Sequence, residues 1–67
     1  MSQINYEVEV RKVYPDAWCQ THPFWFHYYV GTDKTDGWIS KGTNLSALSA
    51  WQSAYETLIK QNKIKPQ

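Results

Sequence analysis

The sequence has little of what usually stabilises or identifies a small domain. Its single cysteine excludes an intramolecular disulfide, and its 67 residues include only three glycines and three prolines. No run approaches the roughly 18 apolar residues that a membrane span needs, and the first residues lack the basic and apolar parts of a signal peptide. We therefore expect a cytoplasmic protein that keeps a free thiol and does not bind membranes.

Charge is also scarce. Seven basic side chains oppose six acidic ones, for a net charge of +1, whereas proteins dedicated to duplex DNA usually carry a marked basic excess. Residues 43–67 hold three lysines and one glutamate, so the tail is mildly basic. The composition argues against a dedicated duplex-DNA binder and leaves room for a local basic patch.

Aromatic residues are the abundant class, at 16% of the chain. A chain of this length forms one domain, here residues 1–67, and buries only about 60% of the surface that it exposes when unfolded. Large rings can supplement such a small core. Whether all eleven rings belong to the core is the main question that the composition raises.

The first part of the chain has the pattern of a sheet. Apolar residues alternate from Ile4 to Val10, which predicts a half-buried strand over about residues 4–14. Pro15 and Asp16 suit the centre of a turn, and a return strand begins near Trp18. Residues 23–31 give the strongest strand signal, and residues 37–42 predict a short third strand after a polar loop.

From residue 44 the apolar period changes to that of a helix, predicted over about 44–61 with a frayed tail at 62–67. One arc of this helix is apolar and comprises Ala47, Leu48, Trp51, Ala54, Tyr55, Leu58 and Ile59. The expected fold class is α+β: a three-stranded antiparallel β-meander with one C-terminal α-helix packed on one face, in the order β-β-β-α.

The predicted order of three strands and a helix is known from other small domains. The likeness covers the stretch from Trp38 to Tyr55, where residues 42 and 43 lead into an alanine-rich helix with Trp51. The layout resembles that of AP2-type and integrase N-terminal DNA-binding domains. Those families present an arginine-rich sheet surface to DNA, and this sequence has none. The resemblance therefore implies a layout and no functional residue.

A single helix covers one face of such a sheet, so the other face is the expected binding surface. Phe24, Phe26, Tyr28 and Val30 suit the helix side, whereas Trp25, His27 and Tyr29 point the other way. Glu7, Glu9 and Arg11, outward on the first strand, would form a polar rim. The pattern does not decide whether Trp18 and Trp38 also lie on this face. As an alternative to binding a partner, the rings would pack on one another and stabilise the sheet.

Two kinds of partner fit an aromatic face. A protein partner or a second copy of the chain would use the rings as anchors, whereas single-stranded nucleic acid would stack bases on Trp25 and Tyr29. Glu7 and Glu9 would repel phosphates, which favours protein. We expect a non-enzymatic adaptor, dimeric accessory factor or inhibitor, with nucleic-acid binding as the alternative.

Reactive side chains are few. Asp16, Cys19, His22 and His27 could hold zinc, but the paired spacing of a zinc finger is absent. Cys19 with either histidine could be read as a nucleophile and its base, yet no residue is placed to orient that base. The sequence therefore predicts no catalytic residue, no metal site, no cofactor and no small-molecule substrate.

Overall fold

The computed structural model describes residues 4–21, 24, 27–34, 38–41 and 43–64. It contains two helices and two strands in the order α1 (Tyr6–Val13), β1 (Trp18–Thr21), β2 (Tyr28–Gly31) and α2 (Ala47–Lys60). The two strands are antiparallel. The class is α+β, as predicted, but the β-β-β-α topology is not found: a helix stands at the first predicted strand, and the described part of the third predicted strand makes only isolated bridges.

The predicted first strand, residues 4–14, is wrong: this stretch forms α1. Asn5 caps the helix, because its side-chain oxygen accepts a hydrogen bond from the backbone N–H three residues later, at 3.2 Å. Glu7 pairs with Arg11 at 2.9 Å and Glu9 pairs with Lys12 at 2.8 Å, each across one helical turn. A cap and two such pairs are local signals for a helix.

Burial along α1 follows the helical period. Val10 is fully buried, whereas Val8, which a strand would bury beside it, is 47% exposed. The Tyr6 ring packs on Tyr55 of α2, with 5.2 Å between ring centroids. With a helix in first place, the chain does not have the strand-strand-strand-helix order on which the resemblance to the DNA-binding domains depends.

The turn after α1 is confirmed. The Ala17 N–H donates to the Tyr14 carbonyl at 2.9 Å, with Pro15 and Asp16 at the two central positions. The return strand β1 begins at Trp18, where the sequence indicated it.

The strongest strand signal is confirmed only at its end. β2 spans Tyr28–Gly31, shorter than the predicted 23–31, and it pairs with β1 so that Cys19 lies opposite Val30. Val30 is fully buried, as predicted for the helix side. Phe24 is 79% exposed, so its predicted place under the helix is wrong. Trp25 and Phe26 lie outside the described residues.

The predicted third strand, residues 37–42, is replaced by an irregular edge. Two isolated bridges join this edge to β2, one from Trp38 to Gly31 and one from Asn44 to Tyr28. Among the described residues from 38 to 44, no regular strand forms. Residues 37 and 42 lie outside the described part of the chain.

A bulge explains why the edge is irregular. The N–H groups of Ile39 and Ser40 both donate to the Val30 carbonyl, at 2.8 and 3.2 Å, so that two residues oppose one. The Ser40 hydroxyl in turn accepts the Val30 N–H at 2.9 Å. The Ser40 side chain thus accepts the Val30 N–H in place of a backbone carbonyl.

The predicted C-terminal helix is confirmed as α2, with the Ser46 hydroxyl capping its first turn. Its buried residues are Ala50, Trp51, Ala54, Tyr55, Thr57 and Leu58. Ala47 and Leu48, which the apolar arc included, are exposed. The buried side is rotated relative to the predicted arc because α2 packs against both α1 and the sheet, whereas the prediction considered a sheet alone.

Candidate functional site

The two faces of the sheet have different neighbours. Residues directly opposite each other on antiparallel strands share a face, so Cys19 and Val30 lie together on the side of the buried core. Trp18, Gln20 and Tyr29 therefore lie on the other side. We call this side the outer face and define it by Trp18, Gln20, His27, Tyr29 and Trp38.

The rings of the outer face form one contiguous surface around Tyr29. The Trp38 ring packs on Tyr29 with 4.5 Å between centroids and an angle of 30° between the ring planes, and the Trp18 ring meets Tyr29 edge-on at 5.7 Å. His27 is 6.4 Å from Tyr29, whose hydroxyl donates to Gln20 Oε1 at 3.2 Å. Trp38 is 53% exposed, so this surface reaches solvent.

Gly31 makes room for the Trp18 ring. The two residues lie opposite each other in the sheet, and a Cβ atom at residue 31 would come within 2.7 Å of the indole. Real Cβ atoms essentially never approach other atoms so closely, so any larger residue would push the indole away. The glycine thus allows the ring to lie across β2 beside Tyr29.

Two of the three predicted ring residues of the site are among the described residues. His27 and Tyr29 lie on the outer face, and the undecided Trp18 and Trp38 both contact Tyr29. Trp25, the remaining predicted ring, lies outside the described residues. That these rings bind a partner stays a prediction.

The predicted polar rim is not on this face. Glu7, Glu9 and Arg11 lie on α1, which packs against α2. Arg11 is turned toward the protein itself, since its guanidinium lies 5.3 Å from the Trp51 ring and its Nε donates to a backbone carbonyl. The premise that acidic residues accompany the outer rings was therefore wrong for these residues, because it assumed a strand at α1.

A different set of charges borders the Trp18 end of the outer face. The Asp16 carboxylate accepts the Thr32 hydroxyl at 2.7 Å and the Asp33 backbone N–H at 3.2 Å. The bond from Thr32 is the main cause of a lowered pKa for Asp16, and the charge of Lys34 lowers this pKa further. Two carboxylates and one ammonium group thus lie at this end.

The opposite edge, beside Trp38, is basic. A small pocket of about 220 Å³ opens there, lined by Tyr14, Trp38, Ile39, Lys41, Leu58, Gln61 and Lys63. We call it the basic notch. Lys41 and Lys63 form no ion pair with any carboxylate in the described part of the chain.

Lys63 reaches the basic notch through an ordered turn after α2. Asn62 has a left-handed φ of 61°, and its N–H and that of Lys63 bond the Ile59 and Leu58 carbonyls, both at 2.9 Å. This is the Schellman pattern that often ends a helix, and asparagine is one of its preferred residues. The frayed tail predicted over residues 62–67 is therefore wrong at Asn62 and Lys63, and residues 65–67 lie outside the described part of the chain. Asn62 was the sequence signal for this turn.

A second concavity lies where the two helices begin. A groove of about 490 Å³ runs between the start of α1 and the first turns of α2, lined by Ile4, Asn5, Tyr6, Glu7, Ala47, Leu48 and Trp51. Among its described lining residues the one charged side chain is Glu7, which is already bonded to Arg11. This groove offers apolar surface without a free charged group.

The described residues do not assemble reactive groups. Burial raises the pKa of the Cys19 thiol, and the charge of Glu7 raises it further, so the thiolate needed for nucleophilic attack is disfavoured. No three His, Cys, Asp or Glu side chains of the described residues cluster as metal ligands. His22, which the metal hypothesis required, lies outside those residues.

No helix within the described ranges is long and apolar enough to cross a membrane. Comparison of the chain with protein-family models, curated proteins and solved structures finds no match. Its function must therefore be inferred from its own residues.

Proposed function

We propose that this protein is a small non-enzymatic interaction module that docks a protein partner on its outer face. The observation that carries the proposal is the contiguous ring surface of Trp18, Tyr29 and Trp38, on the side of the sheet away from the buried core. An adaptor, an accessory factor or an inhibitor would each use such a surface.

Physical chemistry favours binding by these rings. Tyrosine and tryptophan provide much contact area for little conformational entropy and are enriched among residues that dominate binding energy. Trp38 is 53% exposed although it stacks on Tyr29, so part of its apolar surface is left for a partner. Contiguous exposed apolar surface on a small protein commonly marks an interaction site.

The charges around the face favour a protein over a nucleic acid. At the Trp18 end the two carboxylates of Asp16 and Asp33 outnumber the ammonium group of Lys34. Lys41 and Lys63 lie beside Trp38. A protein surface can complement both signs, whereas a phosphate backbone carries one sign and would be repelled at the acidic end.

Single-stranded nucleic acid is the second candidate. It gains support because Glu7 and Glu9 lie on α1 and the basic notch adjoins an exposed indole. A base stacked on Trp38 with its phosphate near Lys63 would use both features.

Photo-cross-linking in the source cell tests the proposal. A benzophenone amino acid replaces Gln20 in one variant and Gln52 in another. Gln20 is exposed on the outer face, and its replacement leaves the rings in place; Gln52 is exposed on α2, the helix that packs on the other side of the sheet. We expect a discrete adduct from position 20 that protease removes and nuclease does not. The variant at position 52 is the matched control and should give little of that adduct.

Two outcomes would contradict the proposal. Equal adducts from both positions, or none from position 20, would mean that the outer face is not the docking surface. An adduct that nuclease removes would support the second candidate in its place.

A further inference from the structure

The basic notch is held in place by bonds that do not use its charged groups. The Lys41 N–H donates to the Ser53 hydroxyl at 2.8 Å, and that hydroxyl donates to the Lys41 carbonyl at 2.9 Å. Ser53 of α2 thereby fixes the backbone of Lys41 beside the helix. The Schellman turn does the same for Lys63. Both lysines therefore have fixed backbones and ammonium groups without an opposing carboxylate among the described residues.

The polar groups of the notch are mostly donors. The Lys63 ammonium donates to the Tyr14 hydroxyl and lies 5.1 Å from the centre of that ring, so the hydroxyl keeps its own proton to donate. Gln61 and Lys41 also line the notch, and both of their side chains carry hydrogen-bond donors. A pocket of about 220 Å³ with this inventory suits one small anionic group.

We propose that the basic notch binds a side-chain carboxylate of the protein segment that docks on the outer face. This inference rests on the proposed function and specifies the chemistry of the partner. Trp38 lines the notch and also stacks on Tyr29, so one bound segment can reach both places. The segment would place an apolar or aromatic residue against Trp38 and an aspartate or glutamate close to it in the notch.

A carboxylate is favoured over a phosphodiester by the rest of the face. A nucleic-acid strand that follows the rings from Trp38 to Trp18 would carry its charges toward Asp16 and Asp33. A peptide can present an acid at the notch and a basic or neutral residue at the other end. Opposite charges at the two ends would also fix the direction in which the peptide binds.

Selection from a displayed random-peptide library, with the full chain immobilised as bait, provides the probe. We expect enriched peptides that combine an aromatic or apolar residue with a nearby Asp or Glu. The affinity of one such peptide is then measured for Lys41→Gln and Lys63→Gln, which keep a hydrogen-bond donor without the charge. Each should weaken binding about fivefold or more, as expected for loss of a charge-assisted bond.

Lys60→Gln is the matched control, because Lys60 is exposed on α2 outside the lining of the notch and loses the same charge. Its affinity should stay within about twofold of wild type, since a charge outside the contact is screened by salt. Equal weakening by Lys60→Gln and Lys63→Gln would show a general charge effect and overturn the inference.

The remaining outcomes separate this inference from the proposed function. If the peptides lose affinity when Trp38 is replaced but bind Lys41→Gln and Lys63→Gln as tightly as wild type, the carboxylate site is wrong and the proposed function stands. If no peptide is enriched, or if enriched peptides ignore substitutions of Trp38 and Tyr29, both proposals are wrong. Binding of a thymidylate 15-mer that competes with the peptides and weakens steeply with salt would also overturn both in favour of nucleic acid.

Discussion

The two faces of the small sheet both carry aromatic residues and differ in what covers them. On the inner face, Val30 is fully buried and Cys19 and Tyr28 pack at the edge of the core. On the outer face, Tyr29 and Trp38 contact each other and are covered only in part. Tyr28 and Tyr29 are thus neighbours in the chain with different surroundings.

Under the proposed function, this difference separates stability from binding along a single strand. Burial of apolar surface stabilises the fold in proportion to the area removed from water, and the inner face has most of it. Rings that stack in the open add less, about 0.5–1.5 kcal/mol per pair. We therefore expect inner-face and core substitutions to unfold the protein, and outer-face substitutions to remove binding first.

The largest effect should come from the core. Leu58 of α2 is 1% exposed, so Leu58→Ala should lower the free energy of unfolding by about 2–5 kcal/mol, through lost burial and a cavity. Urea denaturation measures the change. Leu48→Ala on the same helix is the matched control, because Leu48 is 67% exposed and should change stability by less than about 0.5 kcal/mol. Similar losses for both would contradict the described packing of α2.

A smaller effect is expected where the outer face depends on Gly31. Gly31→Ala places a Cβ against the Trp18 indole, so the ring must move away from Tyr29, at a cost of about 1–3 kcal/mol. Chemical denaturation gives the loss, and loss of the ring-current shift at Tyr29 reports the displacement. The double variant Gly31→Ala/Trp18→Val should recover much of the stability, because the clash is gone. If the double variant loses as much stability as Gly31→Ala, the loss does not come from a clash with the Trp18 ring.

Trp38→Ala should have a milder effect on stability. The indole is half exposed and its described ring contact is with Tyr29, so the free energy of unfolding should fall by about 1 kcal/mol. Thermal and urea unfolding of this variant check the value. A loss as large as that of Leu58→Ala would mean that the outer face belongs to the core and would erase the contrast between the two faces.

The smallest effect concerns the acidic end of the outer face. The folded-state pKa of Asp16 is lowered, chiefly by the Thr32 hydroxyl. The resulting stability is therefore present above the ordinary aspartate pKa, about 3.9, and is lost as pH falls through the folded pKa. Thr32→Val should raise the Asp16 pKa toward that value, as followed by carboxyl NMR. Thr43→Val, at an exposed threonine, should leave it unchanged; a shift there would contradict the assignment.

Much of the second half of the chain could be predicted from sequence. The change of period before Leu48 marked α2, and Trp51, Ala54, Tyr55 and Leu58 are buried as the helical pattern indicated. The rotation of its buried side could not be predicted, because it depends on a second helix packing beside the sheet. Sequence periodicity identifies an apolar stripe but not how many neighbours cover it.

The first half of the chain was harder to predict because its apolar pattern fits both a strand and a helix. Ile4, Tyr6, Val8 and Val10 alternate as in a strand, yet Tyr6, Val10 and Val13 also follow a helical spacing. The helix is favoured by tertiary contacts of Tyr6 with Tyr55 and by local pairs that the alternation hides. The Asn5 cap and the spacing of Glu7 and Arg11 were the signals that could have decided between them.

The aromatic site was partly predictable for a simple reason. Successive side chains on a strand point to opposite faces, so Tyr29 and Val30 of β2 lie on different faces whatever surrounds the sheet. The contact of Tyr29 with Trp38 depends on the bulged edge at Ile39 and Ser40, which no local pattern specifies. The charges around the face could not be predicted, since the order of elements at the start of the chain was wrong.

The most direct test of the central claim is the affinity of Trp38→Ala for a peptide selected on the wild-type chain, measured by calorimetry at a temperature where the variant is folded. Leu48→Ala, with an exposed apolar residue outside the outer face, serves as the control. The account predicts at least a tenfold loss of affinity for Trp38→Ala, as for an anchor residue at an interface, and none for Leu48→Ala. Unchanged affinity in folded Trp38→Ala would contradict the claim that the outer face is the binding surface.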